Sequence, residues 1–108
     1  MSESKPDPEQ HPLADIDQVI HASARLMVLS YLYVVENADY VFLMRRTGLT
    51  WGNLSTHLTK LEEAGYVEIA KEFRGKKPHT TVSLTQRGRT AFREYKKSMR
   101  KVLDDLPD

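Results

Sequence analysis

The stretch from Leu49 to Val67 has the clearest pattern of apolar and polar positions in the chain. Three leucines in it recur at the i, i+4, i+7 spacing of one helical face: Leu54, Leu58 and Leu61. The opposite face carries small or hydrogen-bonding side chains: Gly52, Asn53, Thr56, Thr59, Lys60 and Glu63. A face with so little bulk is unusual for a helix that only meets solvent. It indicates close contact with a polar partner, such as the base-pair edges of a DNA major groove.

Residues suited to begin and end a helix flank this stretch. Thr50 is a suitable N-cap, because its hydroxyl accepts a hydrogen bond from an otherwise unpaired amide of the first turn. Gly65 is suited to the left-handed C′ position, which would place Tyr66 against Leu61 as in a Schellman motif. The sequence therefore predicts a recognition-type helix over about residues 51–64.

The N-terminal third predicts two helical pieces after a polar tail. Residues 1–12 contain three prolines among polar residues, so we expect a disordered or extended tail, with the folded domain spanning residues 13–108. Helical spacing begins with Leu13, Ile16, Val19 and Ile20, and restarts near Ser23 with Leu26, Leu29, Tyr31, Leu32 and Val35. His21 lies between the pieces, where a packed or hydrogen-bonded histidine is favoured over a ligand.

The segment before the leucine-rich helix predicts a helix-turn-helix. Asn37 and Ala38 predict a turn. Asp39 is a suitable N-cap for a short helix from Tyr40 to Thr47, and Gly48 is suited to end it. Two helices joined by so short a glycine-containing link, the second with a polar outer face, are typical of a helix-turn-helix.

Two strands with a cationic turn follow the helix pair. Apolar and polar residues alternate along both, with one face carrying Val67, Ile69, Lys71 and Phe73 in the first strand and Thr80, Val82 and Leu84 in the second. The turn RGKKPH between them contains a glycine that can reverse the chain and three cations: Arg74, Lys76 and Lys77. A β-hairpin with a cationic tip, directly after a helix-turn-helix, is a wing.

Thr85 is a suitable N-cap for a last helix, which begins at Gln86. Its apolar residues recur at spacings of three and four: Ala91, Phe92, Tyr95, Met99, Val102, Leu103 and Leu106. The stripe is longer than so small a domain needs for its own core, which predicts a partner helix in a two-fold dimer. A helix folded back on its own domain is the alternative. The predicted dimer interface comprises Leu13, Ile16, Ile20, Phe92, Tyr95, Met99, Val102 and Leu103.

Composition and charge narrow the possible functions of this 108-residue chain. It has no cysteine, which excludes disulfides, thiolate metal sites and cysteine catalysis. Residues 45–101 contain 14 Lys or Arg and 5 Glu, a balance of +9, which suits a polyanionic partner better than the overall +1 suggests. An ordinary solvated surface is the alternative interpretation of that charge. No apolar run reaches the roughly 20 residues of a membrane span, and no signal peptide pattern is present, so we expect a cytoplasmic protein without a membrane partner.

The sequence contains no motif for catalysis. Its four histidines lie far apart, and no HExxH, phosphate-binding loop or nucleophile elbow occurs. We therefore predict no enzymatic activity, catalytic residue, metal site or cofactor. A winged-helix protein–protein interaction module without DNA readout remains the main alternative, although an interface core would favour aromatic and apolar anchors where this chain has polar and cationic residues. RNA binding is less favoured, because no aromatic stacking platform is visible.

Three segments resemble a known family: IHASARLMVLSYL, GLTWGNLSTHLTKLEEAGYVEI and KEFRGKKPHTTVSLTQRGRTAF. They are similar to the small winged-helix transcriptional regulators related to the MarR and ArsR groups. The resemblance implies a mainly α fold with a small β-hairpin (α+β), a winged helix-turn-helix with N- and C-terminal dimerisation helices, and a homodimer bound to double-stranded operator DNA. It places the reader positions at Asn53, Ser55, Thr56, His57 and Lys60, and the wing contacts at Arg74, Lys76 and Lys77. The chain lacks the cysteine clusters of metal-sensing ArsR relatives and the longer terminal helices that shape a ligand pocket in larger MarR proteins, so any small-molecule effector is unknown.

The predicted contacts differ in chemistry. Asn53 suits bidentate pairing with adenine, whereas Ser55 and Thr56 suit phosphates or bases. Lys60 suits phosphates, as do the flanking Arg45 and Arg46. At Gly52 the missing side chain either lets a phosphate approach the helix N-terminus or is merely tolerated there. Trp51 is expected to pack against the apolar side, and His57 either to pack half-buried or to contact DNA.

Overall fold

The computed structural model describes residues 12–108. The chain forms four α-helices and a three-stranded antiparallel sheet, preceded by a 3₁₀ turn at Pro12–Asp15: α1 (Ser23–Val35), β1 (Asn37–Asp39), α2 (Tyr40–Thr47), α3 (Trp51–Glu63), β2 (Val67–Arg74), β3 (Lys77–Leu84) and α4 (Gln86–Asp104). The predicted α+β fold with its helix-turn-helix and hairpin is confirmed. The predicted polar tail, apart from Pro12, lies outside the described residues.

The core forms where α1, α3 and the hairpin meet. The three leucines of the α3 pattern are buried, as predicted, and they pack with buried residues of α1, α2 and the sheet: Val28, Leu29, Leu32, Leu43, Val67 and Val82. Because these side chains fill one side of α3, its opposite side remains at the surface. The same leucine spacing that stabilises the domain therefore determines which face of α3 is available to a partner.

Local signals for helix ends are confirmed. Asp39, Thr50 and Thr85 each accept a hydrogen bond from a first-turn amide of the helix that follows. After α3, the amide of Tyr66 donates to the carbonyl of Leu61 and the amide of Gly65 to that of Glu62, both at 2.9 Å. This is the predicted Schellman motif, with φ of 80° at Gly65.

The predicted turn at Asn37 and Ala38 is wrong, because these residues form β1 at the edge of the sheet. The strand order is β1-β3-β2, and Ala38 pairs with Val82. The amide of Leu84 also donates to the carbonyl of Glu36 at 2.8 Å. A strand this short is stabilised by its pairing with β3, about 45 residues away in sequence.

The predicted helix over Leu13 to Ile20 is also wrong. After the 3₁₀ turn, the carboxylate of Asp17 accepts from the amides of Val19 (2.9 Å) and Ile20 (3.3 Å). Arg25 donates from Nε to the carbonyl of Val19 at 2.5 Å. Ile16 and Ile20 are still buried in the core, but the segment consists of short turns in which the Asp17 carboxylate accepts from two amides, and not of a continuous helix ladder.

The first half of α4 packs closely against the body of the domain. A Cβ on Gly88 would lie 2.1 Å from the carbonyl oxygen of Tyr66, so only glycine fits at this crossing. Further along the helix, the ring of Phe92 contacts that of Tyr33 on α1, with centroids 5.1 Å apart. Beyond Tyr95, α4 buries no residue completely.

The structure divides the residues of the predicted dimer interface into two groups. Four of them are buried in the core of the single chain: Ile16, Ile20, Phe92 and Tyr95. The other four keep part of their surface accessible: Leu13, Met99, Val102 and Leu103. The sequence periodicity could not separate the two groups, because one apolar stripe continues from the buried part of α4 into its exposed part.

Candidate nucleic-acid interface

The outer face of α3 brings together most of the predicted reader residues. Four side chains are exposed, those of Asn53, Ser55, Thr56 and Lys60, and the backbone at Gly52 is exposed beside them. Thr56 donates its hydroxyl proton to the carbonyl of Gly52 at 3.0 Å, which leaves its oxygen lone pairs directed outward as acceptors. The amide of Asn53 bonds to the Thr50 cap at 3.2 Å, and its side chain remains exposed. The face therefore presents short donors and acceptors on a rigid helix.

His57 lies at the edge of this face and is half-buried, as one of its two predicted roles required. Its Nδ1 lies 3.2 Å from Nη1 of Arg25 on α1. Burial, and then the positive charges of Arg25 and Lys60, lower the pKa of His57. The ring is therefore neutral near pH 7 and Nδ1 accepts from Arg25, a partner that no local pattern in the sequence identified. A DNA contact by His57 stays a prediction.

Arg45 and Arg46 lie in the last turn of α2, and both are exposed. The guanidinium of Arg46 lies over the ring of Phe42, 5.2 Å from its centroid. The hydroxyl of Tyr31 donates to the Arg46 carbonyl at 3.3 Å. These contacts orient Arg46 while leaving its donors at the surface.

The cations predicted for the wing lie together at its tip. Gly75 and Lys76 form a two-residue turn, with φ of 64° at Gly75, and Arg74 pairs with Lys77 across it. All three cationic side chains are exposed. Within residues 12–108 the one ion pair joins Lys97 to Glu94, at 3.9 Å, so no carboxylate there neutralises the tip. The wing therefore presents uncompensated positive charge.

Trp51 packs on one side only. Its ring lies against that of Tyr40, with centroids 4.2 Å apart, and the Tyr40 hydroxyl donates to the Trp51 carbonyl at 2.5 Å. Burial raises the pKa of Tyr40, which keeps this donor protonated. The indole is nevertheless 59% exposed. The predicted packing contact is confirmed, and an open aromatic face at the start of α3 was missed.

A second group of cations lies on α4 around Tyr33. The side chains of Arg89 and Lys96 lie over its ring, 4.8 and 4.9 Å from the centroid. A hydrogen bond from Arg93, with the nearby positive charges, lowers the pKa of the Tyr33 hydroxyl. These contacts serve the packing of α4 on α1, and sequence periodicity did not indicate them.

Residues 12–108 contain neither a cluster of metal-ligating side chains nor a membrane-spanning helix. No group of three or more His, Asp or Glu side chains in this part of the chain could hold a metal ion. The nearest partner of His21 is the hydroxyl of Tyr95, 2.9 Å from its Nδ1, as expected for a hydrogen-bonded histidine. No helix of the described residues is long and apolar enough to cross a membrane.

The elements α2, the Gly48 link, α3 and the β2–β3 hairpin define a winged helix-turn-helix protein. Comparison with family models identifies the chain more closely, since residues 24–103 match the winged helix DNA-binding domain family. This match covers most of the chain, which therefore belongs to that family. The matched family is one of DNA-binding domains, in agreement with the prediction of a DNA-binding protein and not an enzyme.

Individual proteins are similar to this chain in sequence or in fold. The uncharacterized protein MJ0432 of Methanocaldococcus jannaschii is 36% identical over 78 residues, which cover 72% of this chain and 85% of the relative. A transcriptional regulator homologue from Pyrococcus horikoshii OT3 superposes with a TM-score of 0.78 at 27% identity, covering 83% of this chain and 91% of that one. Reduced AbfR, in a structure bound to DNA, shares the fold with a TM-score of 0.70 at 20% identity, covering 94% of this chain and 65% of AbfR.

Proposed function

We propose that the chain is a homodimeric transcriptional regulator that reads double-stranded operator DNA, with α3 in the major groove and the wing on the backbone or adjacent minor groove. The observation that carries this proposal is the pairing of a small, polar, exposed α3 face with an unneutralised cationic hairpin tip. An α-helix fits the major groove, and phosphate contacts from a flanking element set its register. Because the operator is chromosomal DNA, we also propose that the protein acts in the cytoplasm.

Each contact has a proposed role. Asn53 offers a donor and an acceptor from one exposed amide, the pairing that adenine requires, worth about 1–3 kcal/mol of discrimination. Lys60, Arg45 and Arg46 are cations suited to phosphates, which position the helix without reading sequence. Ser55 and Thr56 complete the face with hydroxyls.

The dimer is proposed from the end of α4. Leu103 on α4 and Leu106 just after it are 58% and 60% exposed, and Met99 and Val102 on α4 also keep part of their surface accessible. Contact between two such helix ends would remove this apolar surface from water. Two-fold symmetry would then place the two α3 helices about one turn of DNA apart, roughly 34 Å.

The test is a binding matrix. An operator is first selected from random-sequence duplexes, and each variant is then measured against it and its single-base changes. Asn53→Ala is expected to relax preference at one position per half-site, whereas Lys60→Ala weakens all sequences about equally. Gln86→Ala is the matched control for Asn53→Ala, because it removes an exposed amide side chain from α4. Lys97→Ala is the matched control for Lys60→Ala, because it removes an exposed lysine from the same helix.

The matrix also separates DNA readout from the alternative of a protein-interaction module. Neither change should unfold the domain, since surface substitutions usually stay within about 0.5 kcal/mol, and thermal melts check this. If both variants melt normally and keep the affinity and preference of the unmodified chain, the α3 face does not read DNA. The exposed apolar residues near the wing would then favour the protein-interaction function.

A further inference from the structure

An open cleft of about 530 Å³ separates α3 from the inner face of the hairpin. Its walls are formed by Trp51, Ser55, Thr59 and Glu62 on the helix side and by Lys71 and Thr80 on the hairpin side. None of the hairpin residues in this cleft belongs to the wing tip. Apart from Ser55, which is also a reader position, the cleft is therefore lined by residues outside the α3 reader face and the cationic turn.

The two ends of the cleft differ in charge. Glu62 also lines an adjoining cavity at the root of the hairpin, together with Gly65 and Val67. Lys71 pairs with Thr80 farther out along the hairpin. Within residues 12–108 no carboxylate forms an ion pair with Lys71. The outer end is therefore positive and the root is negative.

The outer end also has an apolar lip. Trp51 and Pro78 line the same small cavity there, of about 230 Å³, and Pro78 pairs with Phe73 across the hairpin. Phe73 is 74% exposed, and Trp51 presents the ring face that Tyr40 does not cover. Exposed apolar side chains that lie close together mark a binding site more often than scattered single residues do.

The proposed mode of DNA binding determines which part of the DNA would lie against this apolar lip. If α3 occupies the major groove and the wing tip reaches the next minor groove, the strand that separates the two grooves must cross between them. That strand offers alternating deoxyribose rings and phosphates. The apolar faces of aromatic rings can pack against a deoxyribose ring, and a lysine ammonium can bind a phosphate.

We propose that the outer end of this cleft binds one sugar–phosphate strand of the operator, with Trp51 and Phe73 against deoxyribose and Lys71 on a phosphate. The inference rests on the proposed DNA-binding function and adds three contact residues to it. The Glu62 carboxylate repels phosphate from the root of the cleft, which holds the strand at the outer end. These contacts carry no base information, so they add affinity for every sequence alike.

Trp51 is the only tryptophan in the chain, so its fluorescence tests the proposal on the unmodified protein. The protein is titrated with its selected operator duplex and, separately, with a random-sequence duplex. Binding is measured by the fluorescence anisotropy of a dye on the DNA, and the accessibility of the tryptophan is measured by acrylamide quenching. At saturation the quenching constant is expected to fall about twofold or more, because a strand packed on the indole excludes the quencher. An unchanged quenching constant while anisotropy reports binding would overturn the cleft contact and leave the DNA-binding function standing. Absence of binding to either duplex would overturn both.

Variants separate the apolar contact from the ionic one. Trp51→Ala should weaken binding about tenfold on all sequences with an unchanged salt slope, and Trp51→Phe should restore much of the loss, since an aromatic ring remains. Lys71→Ala should flatten the slope of log affinity against log salt by about 0.9, with Lys97→Ala as the matched control. Equal slopes for Lys71→Ala and the unmodified chain would remove Lys71 from the contact. If the cleft binds a protein segment instead of DNA, adding DNA will not change the quenching constant. The Trp51 variants will then keep the DNA affinity of the unmodified chain, and the Lys71 variant will keep its salt slope.

Discussion

The wing should supply affinity through phosphates, and the double variant Lys76→Ala, Lys77→Ala measures how much. Both lysines are exposed at a two-residue turn, and no carboxylate within residues 12–108 is within ion-pair distance of either. Each is therefore free to neutralise one phosphate, which contributes about 0.9 to the slope of log affinity against log salt. Losing both contacts should flatten the slope by about 1.8. Raising the salt concentration from about 50 to about 200 mM would then reduce the ratio of the DNA affinity of the unmodified chain to that of the variant by about twelvefold.

Fluorescence anisotropy with the selected operator, repeated across that salt range, measures both slopes. Lys97→Ala, Lys101→Ala is a matched control, because it removes the same charge from exposed positions on α4. Base preference should not change, since flexible point charges on phosphates carry no sequence information. Identical slopes for the wing variant and the unmodified chain would show that the hairpin tip does not touch DNA.

Three further predictions concern assembly and stability. Met99→Glu with Leu103→Glu should give monomers with much weaker operator binding, because charge would replace the proposed apolar contact; sedimentation showing the unmodified chain already monomeric at micromolar concentration would contradict the dimer. Gly88→Ala should destabilise the domain by about 1–3 kcal/mol in denaturant unfolding, since the added methyl would meet a backbone oxygen at 2.1 Å, and a normal unfolding curve would disprove the constraint. Burial and the hydrogen bond to Asp17 raise the pKa of Tyr66 from 10.0 to about 12. The protonated Tyr66 hydroxyl therefore contributes fully to the stability of the fold below pH 10, and this contribution is lost as pH rises through about 12. Tyr66→Phe should cost about 1–3 kcal/mol near neutral pH, and an unchanged melting temperature would show that this bond does not stabilise the fold.

The elements that could be predicted from the sequence are those whose signals lie within a few residues of one another. The N-caps Asp39 and Thr50 bond to amides three residues ahead, and Gly48 and Gly65 end their helices by adopting a conformation that other residues avoid. The leucine spacing of α3 identified both its buried and its exposed face. Such features depend on local backbone geometry and side-chain periodicity, and so they do not depend on how distant segments of the chain pack.

Which apolar residues of a stripe are buried and which remain at the surface depends on how the elements pack together. Phe92 and Leu103 belong to one periodic pattern on α4, yet the first packs on Tyr33 of α1 and the second extends beyond the body of the domain. Likewise β1 exists because β3 supplies its hydrogen bonds, and Gly88 is required because the backbone at Tyr66 crosses α4 there. Each of these outcomes depends on a neighbour distant in sequence, so burial, strand pairing and close backbone contacts are properties of the assembled fold.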